Sequence, residues 1–186
     1  MLININDIKN GMTVINDGKL CSIVEFQHVK PGKGSPFVKI KFKNLRTGAI
    51  VVDTFNTNVK IEKAHVNKSK SQFLYSAGDV YTFMNNETYE QTELNADQLG
   101  DSIKYLKEGL DIQINSFDGE VIGIELPEKI EYLIESAEEA VKGNTSTGAT
   151  KDATMENGLI VKVPLFIKAG ETILVSTIDG SYCGRA

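Results

Sequence analysis

The stretch that decides the fold is QHVKPGKGSPFVKIKFK, residues 27–43. Lys33 stands at its centre with a glycine on each side; apolar residues flank the loop, and those that follow it alternate with lysines. Strand-like segments joined by a glycine-rich loop are typical of a β-hairpin. Two glycines allow the backbone a positive φ, so the turn can be tight. The sequence therefore predicts two strands, Leu20–Phe26 and Phe37–Leu45, with an amine held at their shared tip.

The tip lysine does not fit a nucleotide-binding P-loop, because that motif needs Ser or Thr directly after the lysine and then a helix. A solvated hairpin with a solubilising lysine is one interpretation. The neighbouring charges favour another, since alternating lysines share one face of a strand, and a one-faced basic stripe is the footprint expected for a nucleic-acid backbone. The basic residues from the loop onward, with no acid among them, are Lys30, Lys33, Lys39, Lys41, Lys43 and Arg46. The last four form what we call the basic stripe.

The net charge of −5 hides an asymmetry between the two ends of the chain. Residues 1–64 hold ten Lys or Arg and five Asp or Glu, which gives +5, whereas residues 65–186 hold ten and twenty, which gives −10. This distribution indicates that the N-terminal third meets a polyanion. The acidic remainder would weaken indiscriminate binding, so we expect a shape-selected RNA site.

Residues 1–64 contain short apolar segments separated by Asn-Gly, Asp-Gly and Thr-Gly turn signals. Short strands with frequent turns predict a small barrel of the SH3-like kind. Strand patterns continue after residue 65, interrupted at Asp97–Glu108 by spacing that permits a short helix or turn. The strands predicted there are Gln72–Ser76, Val80–Asn85, Glu90–Leu94, Leu110–Ser116, Glu120–Leu126 and Ile130–Ile134.

An internal repeat with an offset of 61 residues links the second and third parts of the chain. Gly109 matches Gly170, and the pair Asp118-Gly119 matches Asp179-Gly180 without a gap. The repeat predicts two related all-β domains, 65–127 and 128–186, and small five-stranded OB barrels fit this length. Two unrelated hairpins with similar turn chemistry are the alternative.

No constellation of residues in the sequence supports catalysis, a metal centre or a cofactor. The two cysteines and two histidines show no ligand spacing. No apolar run is long enough to span a bilayer, and charged residues interrupt any candidate signal peptide. We therefore expect a non-enzymatic cytoplasmic protein, monomeric and without a membrane partner.

Two motifs make the whole chain resemble the bacterial translation elongation factor P family. One is the tip Lys-Pro-Gly-Lys-Gly at Lys30–Gly34, and the other is KDATMENGLIVKVPLFIKAG at 151–170. The resemblance implies an all-β chain with an N-terminal SH3-like (KOW-like) barrel at 1–64, then two OB-fold barrels in an L shape similar to tRNA. It also implies binding to the ribosome between the peptidyl and exit sites, and relief of stalling at consecutive prolines.

The resemblance implies a role for each residue that matches the family's motifs. Lys33 would reach the peptidyl-transferase centre and the CCA end of peptidyl-tRNA, and a modifying enzyme lengthens the matching lysine in many members. Pro36 stands where many members have a small residue other than proline. The residues that would scaffold this tip are Lys30, Pro31, Gly32, Gly34, Ser35 and Pro36.

Two further sites lie in the last third of the chain. Gly143-Asn144-Thr145 matches a loop that faces the exit-site codon, where the family often has Gly-Asp-Thr. Tyr182 and Arg185 match a pair that touches the small ribosomal subunit. The implied partners are ribosomal RNA, ribosomal proteins and peptidyl-tRNA.

Two functions from other classes remain as alternatives. A general single-stranded nucleic-acid binder would use aromatic platforms along a basic groove, and the acidic OB-like halves do not favour that. A phosphate-binding enzyme using Gly32–Gly34 would have to bind nucleotides in isolation.

Overall fold

The structure is a computed structural model that describes residues 1–140 and 148–186. Its first sheet has six strands in the order β1-β6-β2-β3-β4-β5, with a 3-10 turn at Ile5–Asp7. The strands of this N-terminal sheet are β1 (Leu2–Asn4), β2 (Thr13–Asn16), β3 (Lys19–Val29), β4 (Phe37–Asn44), β5 (Ile50–Asn56) and β6 (Lys60–Lys63).

Strands β3 and β4 form the long hairpin that the sequence predicted. Strand β4 pairs antiparallel with β3 on one side and with β5 on the other. Its apolar residues Val38, Ile40 and Phe42 are 0–1% exposed and pack into the core, while the alternate lysines face outward. Period-two alternation therefore sets which face of the sheet is buried.

The short strands β1 and β6 were not predicted. They pair with each other, and β6 also pairs with β2. Each has only three or four residues, which is too short for alternation to be visible in the sequence. Ile61 and the neighbouring Ile5 are buried, so these short segments help to enclose the core.

The second and third sheets have five strands each and the same internal strand order, β11-β10-β7-β8-β9 and β14-β13-β12-β15-β16. A short helix α1 (Ala96–Leu99) and a 3-10 turn (Gly100–Tyr105) lie where the sequence predicted a helix or turn. The second-sheet strands are β7 (Asn67–Ala77), β8 (Val80–Asn85), β9 (Gln91–Asn95), β10 (Asp111–Phe117) and β11 (Glu120–Glu125). Those of the third are β12 (Lys129–Ala137), β13 (Thr150–Met155), β14 (Ile160–Pro164), β15 (Thr172–Ser176) and β16 (Tyr182–Arg185).

The sequence repeat has a structural counterpart. Matched residues 61 apart make matched backbone bonds: the Gly109 amide donates to the Phe73 carbonyl at 2.8 Å, and the Gly170 amide donates to the Ile134 carbonyl at 2.9 Å. Phe73 and Ile134 also both stand directly before a register shift in their strands. All three sheets are strongly curved, so the predicted all-β class, an SH3-like sheet followed by two OB-type sheets, is confirmed.

The chain packs as two compact units. The first contains residues 1–67 together with 115–122, and the second contains residues 68–114 together with 123–186. The whole third sheet and most of the second therefore share one unit.

A polar joint ties the two sheets of the second unit together. Tyr132 is fully buried, and its hydroxyl donates a hydrogen bond to the carbonyl of Tyr105. The Asn157 side-chain amide donates to the carbonyls of Lys104 and Leu106, both at 3.0 Å. A buried hydroxyl without such a partner would be costly, so the bond fixes the two segments against each other.

The charged side chain of Lys107 also stabilises this joint, on its partly exposed side. The Lys107 ammonium lies 2.5 Å from the Glu131 carbonyl oxygen, 3.1 Å from the Glu156 carboxylate and 5.4 Å from the Tyr132 ring centre. Burial acts to raise the pKa of Glu156, but the Leu133 amide and Lys107 outweigh it and lower that pKa. Burial raises the pKa of Tyr132, so its hydroxyl keeps the proton that it donates.

A glycine at the joint generates the first prediction. Gly180 has φ +74°, and a Cβ there would lie 3.2 Å from the Tyr105 hydroxyl oxygen. Gly170 has φ +87° in the same unit, but a Cβ there would meet nothing within 4 Å. Both Gly→Ala changes carry a left-handed backbone cost of about 1–2 kcal/mol, and we expect Gly180→Ala to destabilise the unit by about 1 kcal/mol more.

Urea unfolding followed through the amide NMR signals of β12 and β15 measures both variants on the same transition. Equal destabilisation by the two substitutions would contradict a tight contact between Gly180 and Tyr105.

Candidate functional site

The Lys33 loop, residues Lys30–Pro36, closes the longest hairpin of the N-terminal sheet. Strands β3 and β4 pair from Cys21 opposite Asn44 up to Val29 opposite Phe37, with one register shift after Ile23, so paired residues directly flank the loop on both sides. All seven loop residues are exposed. The ammonium of Lys33 therefore stands at the end of a rigid two-stranded support, open to a partner.

The two glycines beside Lys33 differ in conformation. Gly34 has φ +104°, which L side chains rarely adopt, whereas Gly32 lies outside the left-handed region. Of the two glycines that the sequence showed could take a positive φ, only Gly34 does so. A Cβ on Gly34 would lie 3.8 Å from Pro31 Cγ, so the loop folds back on its own proline. One glycine and the ring of Pro31 together define how Lys33 is presented.

The three lysines of the basic stripe in β4 lie where alternation put them. Lys39, Lys41 and Lys43 are exposed on the face opposite the buried Val38, Ile40 and Phe42. Among residues 1–140 and 148–186, none of these lysines is within 4 Å of a carboxylate. Their charges are therefore available to an external anion.

Strand register gives each of these lysines neighbours that the sequence did not single out. Lys41 lies between Glu25 on β3 and Val52 on β5. Lys39 lies in the same way between Gln27 and Thr54. Alternation shows which residues of one strand share a face, but not which residues of other strands lie beside them, so only the observed pairing identifies these positions.

Arg46, the fourth residue of the predicted stripe, is placed differently. It follows β4 in a turn, and its guanidinium lies 2.7 Å from the carboxylate of Glu120. Both side chains are more than half exposed, at 63% and 57%, so the pair contributes only about 0–1 kcal/mol. Arg46 remains a predicted RNA contact, but Glu120 already offsets its charge.

Tyr182 and Arg185 both lie in the edge strand β16. The Arg185 guanidinium lies 3.2 Å from the Glu171 carboxylate and 5.1 Å from the ring centre of Phe166. Tyr182 is half-buried opposite Val175. Arg185 is thus held in a defined orientation, and its role as a ribosome contact stays a prediction.

The predicted exit-site codon loop, Gly143-Asn144-Thr145, falls outside the described residues. Within the described ranges, no group of three or more His, Cys, Asp or Glu side chains is arranged to hold a metal ion. No helix in that part of the chain is long and apolar enough to cross a membrane.

Comparison with protein-family models gives three matches in sequence order. Residues 4–61 match the elongation factor P KOW-like domain, residues 66–124 match the elongation factor P OB domain, and residues 130–185 match the elongation factor P C-terminal domain. Together they leave out only short segments at the ends and between the matches.

Comparison with solved structures gives likenesses to translation initiation factor 5A. The structure described as eukaryotic translation initiation factor 5A from Methanococcus jannaschii is 26% identical, with a TM-score of 0.56, over 68% of this chain and 94% of that one. A translation initiation factor 5A family protein from Naegleria fowleri ATCC 30863 is 20% identical, with a TM-score of 0.49, over 68% of this chain and 98% of that one.

The difference in backbone conformation between Gly32 and Gly34 leads to the second prediction. Gly34→Ala places a Cβ at φ +104°, so we expect the loop to rearrange, whereas Gly32→Ala meets no neighbour and no backbone restriction. Amide NMR shifts should therefore change across residues 30–36 in Gly34→Ala and only next to the substitution in Gly32→Ala. Similar changes in both variants would show that the Gly34 conformation does not constrain the loop.

Proposed function

Because the chain belongs to the elongation factor P family, we propose that it binds the ribosome between the peptidyl and exit sites and stimulates peptide-bond formation at consecutive prolines. The family matches and the likeness to translation initiation factor 5A support its role as a translation elongation factor. The observation that carries the finer proposal is the exposed Lys33 at the end of the long β3–β4 hairpin, whose strands pair up to both ends of the loop.

Positioning is the mechanism that this geometry supports. Proline reacts poorly both as nucleophile and as donor, so its reaction loses most when the tRNA ends are imperfectly aligned. An ammonium on a rigid support can hold the CCA end of peptidyl-tRNA electrostatically, without taking or giving a proton. The factor then supplies order to the reacting ends, and the ribosome catalyses the bond.

Other parts of the chain have proposed roles in the same complex. The basic stripe would lie along an RNA backbone, and within residues 1–140 and 148–186 Lys39, Lys41 and Lys43 form no ion pairs. Tyr182 and Arg185 would contact the small subunit. We further propose domain boundaries at 1–64, 65–127 and 128–186, within which the three family matches fall, and action as a cytoplasmic monomer.

Lys33 is also the proposed site of modification. Its whole loop is exposed, so an enzyme that lengthens the amine would have access to it. Pro36 fixes the backbone directly before β4 and restricts Ser35, so the enzyme would meet a stiffened loop.

Reconstituted translation of a message encoding three consecutive prolines tests the proposal. We expect the protein to relieve the stall and Lys33→Ala to reduce that acceleration by on the order of 100-fold, as when one preorganised electrostatic group is removed. Lys19→Ala is the matched control, because Lys19 is exposed at the opposite end of the same strand β3. A proline-free message controls for general effects on translation.

Comparing unmodified protein with protein purified from its own host shows whether the Lys33 amine acts as it is or needs an extension. If unmodified protein fails and protein from its own host succeeds, the amine requires an extension, which mass analysis of the loop peptide will identify. If neither preparation changes translation of the proline message, or if Lys33→Ala and Lys19→Ala behave alike, the proposal is wrong.

A further inference from the structure

The outer face of the N-terminal sheet carries a three-column grid of side chains. The central column on β4 holds the lysines of the basic stripe, and β5 beside it holds Val52 and Thr54. On the other side, β3 places Glu25 opposite Lys41 and Gln27 opposite Lys39. Cations, β-branched side chains and hydrogen-bonding groups thus form separate parallel columns.

A cavity of about 240 Å³ lies within this grid. Its lining residues are Glu25, Phe26, Gln27, Lys39, Lys41 and Val52. Phe26 pairs with the buried Ile40, so its side chain faces the core and its backbone contributes to the floor. In the described part of the chain, neither Glu25 nor the two lysines forms an ion pair. The polar groups around the cavity are therefore uncommitted.

We propose that this cavity binds one unpaired nucleotide of RNA and reads its base. Lys39 and Lys41 bind the phosphate on either side of the nucleotide. Val52 packs against the sugar. Glu25 and Gln27 form hydrogen bonds with the edge of the base. The proposal rests on the function above, which brings this face to RNA, and adds a specificity that backbone contacts alone cannot supply.

The chemistry of the columns favours RNA as the occupant. Lysines two residues apart on a strand form a row of cations, which suits the successive phosphates of an RNA backbone. The Glu25 carboxylate beside Lys41 would weaken simple phosphate binding, so its presence in the cavity favours a ligand that also donates hydrogen bonds. The exocyclic amino groups of bases are such donors, and unpaired bases in RNA expose that edge. Glu25 therefore predicts a preference for adenine, cytosine or guanine over uracil.

Nucleotide titration of the ¹⁵N-labelled full chain tests this site without ribosomes. We expect CMP, AMP or GMP to shift the amides of 25–27, 39–41 and Val52, and to bind at least about fivefold more tightly than ribose 5-phosphate, which lacks the base. A tetranucleotide of the preferred base should bind at least about tenfold more tightly than the mononucleotide, since it also reaches Lys43.

Two variants isolate the pocket from general electrostatics. Val52→Glu places a carboxylate in the cavity, and Val51→Glu makes the same change one residue away, on the opposite face; both valines are 49% exposed. We expect only Val52→Glu to abolish nucleotide binding.

A third variant tests the base preference. Glu25→Gln keeps the shape of the side chain but can also donate a hydrogen bond, so it should remove the preference for the other nucleotides over UMP.

The proposal that the cavity binds a nucleotide would be wrong if ribose 5-phosphate bound as tightly as the nucleotides. It would also be wrong if Val51→Glu and Val52→Glu lost nucleotide affinity equally. A tetranucleotide that binds no better than a mononucleotide would overturn RNA as its ligand. These outcomes are independent of the proline assay, because a chain that relieves stalling yet fails the titration has the proposed function and lacks this site.

Discussion

The antiparallel pairing of β4 with β3 and β5 is the constraint on which the N-terminal sheet depends. Burial of Val38, Ile40 and Phe42 fixes the register, because a slip of one residue would exchange this apolar row for lysines. The same register closes the hairpin at Val29 and Phe37, and so holds the Lys33 loop at its end. The core of this sheet thus determines where Lys33 and the lysines of the basic stripe lie, although none of these charges belongs to the core.

The two Asp-Gly turns of the repeat have different surroundings. The β10–β11 turn belongs to the first unit, whereas the β15–β16 turn lies in the second unit against Tyr105. There the C-terminal copy has gained the buried Tyr132 bond and the Lys107–Glu156 pair, which lock the two sheets together. A fixed joint of this kind suits a factor that acts by positioning, since motion within the support would reduce the order it confers.

The sequence predicted much of this architecture because alternation and turn chemistry are local signals. The β3–β4 hairpin, the outward lysines and the repeated Asp-Gly hairpins all follow from period two and from glycine. The short strands β1 and β6 contain too few residues to show a period. The pairing of Arg46 with Glu120, the difference between Gly32 and Gly34, and the neighbours Glu25 and Val52 depend on tertiary register, which one sequence does not encode in any local pattern.

The most direct test of the central claim is a structure of this chain on a ribosome stalled at three consecutive prolines. The account predicts the Lys33 ammonium within hydrogen-bond distance, about 3 Å, of an oxygen at the CCA end of peptidyl-tRNA. It also predicts the face that carries Lys39, Lys41 and Lys43 against RNA. A bound factor whose Lys33 loop lies in solvent, away from the tRNA end, would contradict positioning through this lysine.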